Sequence, residues 1–226
     1  MGYTLAKQNW EAVMQLDAGQ WVVIGVCAVL IVGYAGGYYY NRRLAEQVLD
    51  WLKRGLGQWG QVTPGERLGG LATGGRLSVN AASQPFQRIE AFFLLEPREN
   101  LIFWLFDRLR GRQDELILKI TLRAAPGKES LIEAGRHRDR DLRQAIEKEK
   151  SPILESAVRG LEIVHWGRKP QAGERTRLFL EQYGQAVTRL SIRRQAPHLF
   201  LRARLKPLLM RPAEDFFSAL RDLSVE

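Results

Sequence analysis

No charged residue stands between Asp17 and Arg42, and within that gap Trp21 to Tyr40 reads WVVIGVCAVLIVGYAGGYYY. Twenty residues rising about 1.5 Å each cover roughly 30 Å, the thickness of a bilayer's hydrocarbon core. Trp21 opens the run and Tyr38, Tyr39 and Tyr40 close it, as an interfacial aromatic belt does. A soluble core helix is seldom apolar on every side for so long. The reading is a transmembrane helix over residues 21–40, a short extracytoplasmic or luminal segment over 1–20, and a soluble domain over 41–226. The competing reading is a cleaved signal peptide, with Gly33-Tyr34-Ala35 as a loose small-x-small site. Against it, about twenty largely polar residues precede the run without a basic cluster. Arg42, Arg43, Lys53 and Arg54 follow the run and only Lys7 precedes it. The positive-inside rule then places the C-terminal domain in the cytoplasm. Gly33 and Gly37 form a small-xxx-small pair, the kind of surface through which another membrane helix can approach.

The whole chain carries +9; residues 1–40 contribute −1 through Lys7, Glu11 and Asp17, so the remainder carries +10. A domain that basic is drawn to polyanions: RNA, acidic protein faces or anionic lipid. The single cysteine, Cys27, lies in the apolar run, which excludes an intrachain disulfide and a thiolate zinc site.

Periodicity divides the soluble part. Helical spacing marks 44–56, which continues the apolar run, and also 101–109, 174–184 and 212–223. In the 174–184 helix, Leu178, Phe179 and Tyr183 are read as inward. The charged stretch 139–150 reads as a solvated helix, and the Gly-rich 55–75 as loop. Alternation marks strands at 76–82, 87–95, 115–123, 129–135, 160–166, 187–194 and 198–206. The strands 115–123 and 129–135 are expected to form a hairpin across Pro126-Gly127. Interspersed strands and helices with adjacent hairpins predict an α+β fold, a mixed or antiparallel sheet with helices on one face.

Between Glu181 and Glu214 there is no acidic residue, but Arg189, Arg193, Arg194, Arg202, Arg204, Lys206 and Arg211 all occur. Residues two apart share a strand face. Arg202, Arg204 and Lys206 should therefore line up beside Arg189 and Arg193 as a basic ladder. Like charges side by side on a sheet are costly unless something anionic offsets them. The alternative is a solvated face neutralised by acids elsewhere in the domain.

Other motifs carry little. Gly55-Leu56-Gly57-Gln58-Trp59-Gly60 matches G-x-G-x-x-G but follows a helix, not a strand, so the phosphate cradle is missing. His137-Arg138-Asp139 copies three letters of a kinase loop with no companion motifs. His137, His165 and His198 lack metal-ligand spacing. The expectation is a non-enzymatic protein, with neither cofactor nor metal.

The ordered set of segments resembles a known family. Asn41-Arg42-Arg43-Leu44-Ala45-Glu46 follows the membrane helix. Then come Phe92 to Leu95, Leu101 to Arg110, Lys119-Ile120-Thr121 and Gly135-Arg136-His137. Over roughly residues 38–206 this is similar to the calumin family, coiled-coil-containing endoplasmic reticulum proteins that scaffold an intramembrane chaperone complex. The chain departs from it in having His137 at a basic position. Only about twenty residues precede the membrane helix, where the family carries a long acidic luminal segment, and no long basic coiled coil follows the domain. The departures weaken any expectation of luminal calcium buffering or of tail-mediated ribosome contact. The resemblance implies a single-pass membrane scaffold, in the endoplasmic reticulum membrane of a eukaryote or the plasma membrane of a prokaryote. Its implied partners are translocation-channel subunits and other insertion factors. The Arg189 to Lys206 hairpin would meet the channel's cytoplasmic face, ribosomal RNA, or both. The alternative is a membrane-tethered module that binds RNA or anionic lipid.

Overall fold

In the computed structural model, residues 17–64, 73–127, 131–136, 153–166 and 170–224 are described. The apolar run and the amphipathic segment after it form one uninterrupted helix, α1 (Ala18–Gly57). Nothing in 18–57 removes a helical backbone hydrogen bond, as there is no proline. The two halves differ in what surrounds them. Trp21 to Tyr40 is largely exposed, and this stretch is long and apolar enough to cross a membrane. From Asn41 onward one stripe is buried: Asn41, Ala45, Val48, Trp51, Leu52, Gly55 and Leu56. That spacing is the helical repeat of a core-facing surface.

The remaining elements are strands β1 (Val62–Pro64), β2 (Gly74–Asn80) and β3 (Phe86–Leu94), helix α2 (Leu101–Leu109), and strands β4 (Glu115–Leu122), β5 (Leu131–Gly135), β6 (Ile153–Val158) and β7 (Leu161–Trp166). Helix α3 (Pro170–Tyr183), strands β8 (Val187–Ile192) and β9 (Leu199–Arg204), and helices α4 (Leu205–Leu209) and α5 (Ala213–Asp222) complete them. The strands make one nine-stranded sheet in the order β1-β2-β3-β4-β9-β8-β5-β7-β6. Every pairing in it is antiparallel. The α+β expectation therefore holds, with an antiparallel sheet.

Alternation sets the two faces. Ile89, Ala91 and Phe93 on β3, Leu116, Leu118 and Ile120 on β4, and Leu199, Leu201 and Ala203 on β9 are buried. Helices cover this face. An aromatic cluster joins them to it: the Trp59 ring lies 4.4 Å from Phe86 and 5.3 Å from Phe217, and Phe216 contacts Trp51, Phe179 and Tyr183. The same helix that carries the apolar run thus supplies one wall of the core.

Two hydrogen bonds fix the direction of α1 relative to the sheet. Asn41 donates through Nδ2 to the carbonyl of Glu96, just past the end of β3. Trp59, just past the end of α1, accepts through its carbonyl from Ser83 N, just before the start of β3. The sixteen residue steps of helix from Asn41 to Gly57 rise about 24 Å, and β3 extends about 27 Å. The central strands therefore run alongside the α1 axis. One end of the sheet, at Leu94, Glu115 and Arg204, lies beside Asn41; the other, at Phe86, Leu122 and Leu199, lies beside Trp59.

Several expectations need correction. β5 does not pair with β4, because both edges of β4 are occupied by β3 and β9; β5 lies instead between β7 and β8. The stretch 55–75, read as loop, contains the last turn of α1 and all of β1. β6 was not anticipated. Leu178 on α3 points to solvent, while Phe179, Leu180 and Tyr183 are buried. Lys206 is not on a strand: the chain turns into α4 at Leu205. The segment 139–150 and His137-Arg138-Asp139 lie outside the described residues.

Candidate functional surfaces: a polar junction, a charged sheet face and a basic tip

At the base of the apolar half of α1, the β3–β4 connection packs against the helix. A Cβ on Gly37 would overlap the backbone carbonyl of Arg98, and one on Gly33 would overlap the side chain of Leu101. The close approach permitted by the Gly33/Gly37 pair is thus taken by this chain's own 98–101 segment. Gly36 meets nothing within 4 Å.

Directly above Gly37 a dense polar network joins helix to sheet. Asn41 is fully buried. Its Nδ2 donates to Glu96 O at 2.7 Å and to Glu99 Oε2 at 3.3 Å, and its Oδ1 accepts from Arg98 Nη1 at 2.9 Å. Arg98 makes a two-pronged pair with Asp114, at 2.9 and 2.8 Å. It also approaches Glu96 Oε2 at 3.2 Å and lies 5.0 Å from the Tyr40 ring centre. Asp114 Oδ1 accepts from Glu96 N, and Trp104 Nε1 donates to Glu96 Oε2, both at 2.9 Å. Burial by itself lowers the Arg98 pKa. The hydrogen bond and charge of Asp114, with Glu96, outweigh it and hold the guanidinium above its ordinary value. Planar two-point recognition of a carboxylate is what a guanidinium does and an ammonium cannot.

The face of the sheet away from the helices carries three of the residues predicted as a ladder, Arg189, Arg202 and Arg204, together with acids that partner them. Arg202 pairs with Glu115 at 2.6 Å on the neighbouring β4. Arg189 lies opposite Arg202 and approaches Glu133 Oε2 at 3.5 Å. Arg76 and Arg88 both reach Glu90. Arg204 is lowered from the usual arginine value by burial and then by the nearby charge of Arg136, with Glu115 opposing. A bulge between Val187 and Arg189 shifts the β8 alternation. Arg193 falls beyond the end of β8, where its Nε donates to Pro197 O. The five predicted residues therefore do not form one surface. Arg189, Arg202 and Arg204 belong to the face away from the helices near the Asn41 end, where Arg189 is largely buried and Arg202 is exposed. Arg193 lies at the far end, and Lys206 sits exposed on α4.

Glu133 is buried on this face and accepts a short hydrogen bond from Ser191 Oγ. Burial pushes its carboxyl above the ordinary 4.5, against the lowering effects of that bond and of Arg189 and Arg193. A carboxyl raised on folding contributes stability that is complete below the unfolded value and lost as pH rises through the folded one. Glu133→Gln removes that loss. The melting temperature of the Gln variant minus that of wild type, in mild detergent, is expected to grow as pH rises from 4 to 7. A difference that shrinks with pH would mean that the Arg189 pairing outweighs burial.

The far end of the sheet was not recognisable from the sequence. Three turns meet there, 81–88, 122–127 and 192–198. Arg123 N donates to Pro85 O, its guanidinium to the carbonyls of Phe86 and Ala82, and Leu122 N to His198 Nδ1. These bonds stitch the turns together. They contain Arg88, Arg123, Arg193 and Arg194, all exposed, and no acidic residue of their own, though Arg88 pairs with Glu90 on β3. Arg88 and Arg123 are distant in sequence from the 182–213 basic stretch, so only strand order brings them to the same end of the sheet as Arg193 and Arg194. Of the histidines, His198 and His165 are buried in the domain. Among the described residues no cluster of His, Cys, Asp or Glu is arranged to hold a metal ion.

In comparisons with known proteins, no family model matches this chain and no curated protein is significantly similar to it.

Proposed function

We infer that this protein is a membrane-anchored, non-enzymatic scaffold that assists the insertion or folding of multi-span membrane proteins beside a translocation channel. In this reading α1 crosses the bilayer through Trp21 to Tyr40 and the sheet domain stands in the cytoplasm. The observation that carries it is the polar junction of Asn41, Glu96, Arg98 and Asp114. A continuous helix locked to a sheet by buried charge fixes the height and rotation of the domain above the bilayer. Such fixed geometry is what a protein bridging two large neighbours requires. The likeness of the 41–46, 92–122 and 135–137 segments to the calumin family supports the same reading.

The arginine tip lies at the end of the sheet away from the apolar run, about 24 Å further along α1 than Asn41. It is suited to phosphate contact on a large RNA-containing neighbour such as a ribosome docked above the channel. Double reversal, Arg193→Glu with Arg194→Glu, is expected to lower ribosome co-sedimentation with protein-bearing vesicles at least tenfold and to flatten its salt dependence. The pair Arg202→Glu and Arg204→Glu, near the membrane end, is expected to leave it within about twofold. Equal loss from both pairs would argue for diffuse attraction, and no loss from either would remove RNA as the tip's partner. Association with channel subunits is expected to disappear when residues 21–40 are replaced by an unrelated apolar helix.

A second reading, binding of anionic lipid, is favoured by the approach of Arg136 to Arg204 at the sheet end beside Asn41. It predicts that vesicles containing phosphatidylglycerol protect these two arginines from chemical modification and that neutral vesicles do not.

A further inference from the structure

Helix α2 is anomalous for a helix of a soluble domain. None of its residues is buried. Ile102 and Leu109 are 71% and 79% exposed, and Phe103, Leu105 and Phe106 are each more than half exposed. Soluble proteins seldom leave so many large apolar side chains together on the surface, and such patches mark contacts with a partner or a membrane. At nine residues, about 13 Å, the helix is far too short to cross a bilayer.

Its position supplies the explanation. Leu101, the first residue of α2, packs on Gly33, and Gly33 precedes Tyr40 by seven residues, or roughly 10 Å along α1. The other end of α2 lies higher. Trp104 Nε1 and Arg108 Nη1 both reach the carboxylate of Glu96, whose backbone carbonyl accepts from Asn41. The helix therefore begins beside the apolar run and climbs back to the polar junction. Its charges are gathered at the upper end. Asp107 pairs with Arg112, Arg108 reaches Glu96, and Arg110 stacks on Phe106 at 4.0 Å. At the lower end the Asn100 side chain accepts from Phe103 N, which satisfies one of the unpaired amides there.

We propose that α2 is a re-entrant helix embedded in the cytoplasmic leaflet, its Ile102, Phe103, Leu105, Phe106 and Leu109 side chains covered by lipid acyl chains. This rests on the reading of α1 as a membrane span. The occupant is lipid and not a second protein because the exposed apolar surface of α2 is continuous with that of α1 and starts at the same depth. An apolar surface held beside a span is already in contact with hydrocarbon. The two helices together make a wedge: one spans, the other enters and returns, and Arg108, Arg110 and Arg112 mark the headgroup level.

The test uses the full-length protein reconstituted in phosphatidylcholine vesicles containing phosphatidylglycerol, with nitroxide spin labels. The native Cys27 reports on the span. In a Cys27→Ser background, Ile102→Cys and Phe106→Cys report on α2, and Arg194→Cys on the tip. The expected result is that labels at 27, 102 and 106 relax with oxygen and are shielded from a water-soluble nickel chelate, whereas the label at 194 behaves oppositely. Nickel exposure at 102 and 106 equal to that at 194, with Cys27 shielded, would overturn the proposal and leave the span intact. Shielding of 102 and 106 from both reagents would overturn it in favour of a protein-covered face. Nickel exposure at Cys27 would overturn the span reading, and the proposal with it.

Discussion

Replacing Arg98 with alanine is expected to destabilise the protein by about 3–5 kcal/mol, because it removes one partner from a buried charged network and leaves the others uncompensated. Asp114 loses both of its guanidinium bonds, Glu96 loses a nearby cation, and Asn41 Oδ1 loses its donor. The side chains of Glu96 and Asp114 are only 3% and 11% exposed, so water does not readily replace what is lost. For a domain of this size about 1 kcal/mol corresponds to roughly 2–4 °C, so a fall of about ten degrees is the expected reading in detergent thermal melts. Arg98→Lys should recover little of it, since an ammonium cannot grip both Asp114 oxygens at once. The double variant Arg98→Ala with Asp114→Asn should be less unstable than the sum of the two singles, as expected for groups that share one network. Strict additivity, or a fall under about 2 °C for Arg98→Ala, would mean that the junction does not hold the domain to its helix. The ribosome and channel assays of the same variant then report on whether a loosened junction is tolerated.

Phe217→Ala should cost a similar amount, about 3–5 kcal/mol, for a different reason: lost burial together with a cavity. The Phe217 ring is fully buried on α5 and packs against Trp51, Trp59 and Phe216 with centroids 5.2–5.4 Å apart. It occupies the space that Gly55 leaves by having no side chain, since a Cβ there would overlap the Phe217 ring. The same contact predicts that Gly55→Leu destabilises by overpacking, typically about 1–3 kcal/mol. Urea unfolding followed by tryptophan fluorescence measures both. Leu178→Ala is the control: that side chain is mostly exposed on α3, and its loss should stay within about 0.5 kcal/mol. If Leu178→Ala costs as much as Phe217→Ala, the packing of the helical layer is not as described.

Much of the fold was legible because its signals are local. The alternation of Leu116, Leu118 and Ile120 against Ile117, Lys119 and Thr121 sorts β4 into two faces without knowledge of its neighbours. Phe216, Phe217 and Leu220 recur at helical spacing and are the residues α5 buries. The β8–β9 hairpin was visible for the same reason, being two alternating runs joined by a short polar turn. β5 shows where such reasoning stops. Its pattern announces a strand, and proximity in sequence favours β4 as partner. Each strand has only two edges, however, and those of β4 are filled by β3 and by the distant β9.

The functional surfaces divide in the same way. Arg202 and Arg204 were found because they lie two apart on one strand. The assembly of Arg88, Arg123, Arg193 and Arg194 was not visible, because it depends on three turns meeting at one sheet end. Gly33 and Gly37 were recognisable as a surface open to close approach, but not what approaches: the backbone at Arg98 and the side chain of Leu101 come from far along the chain. α2 showed helical spacing without showing that nothing in the domain covers it. Lys206 was misplaced on a strand because alternation continues through Leu205 while the backbone has already turned into α4.

By itself the sequence determined an apolar helix long enough to cross a bilayer, the excess of positive charge beyond it, and the alternating faces of most strands. Each of these depends on spacing along the chain or on composition, and so survives without a fold. The tertiary structure alone decided which strands adjoin, that buried Asn41, Glu96, Arg98 and Asp114 lock helix to sheet, and that α2 lies exposed beside the apolar run. Those are contacts between residues far apart in sequence, selected by the burial of a common core and by the need to satisfy every polar group taken out of water.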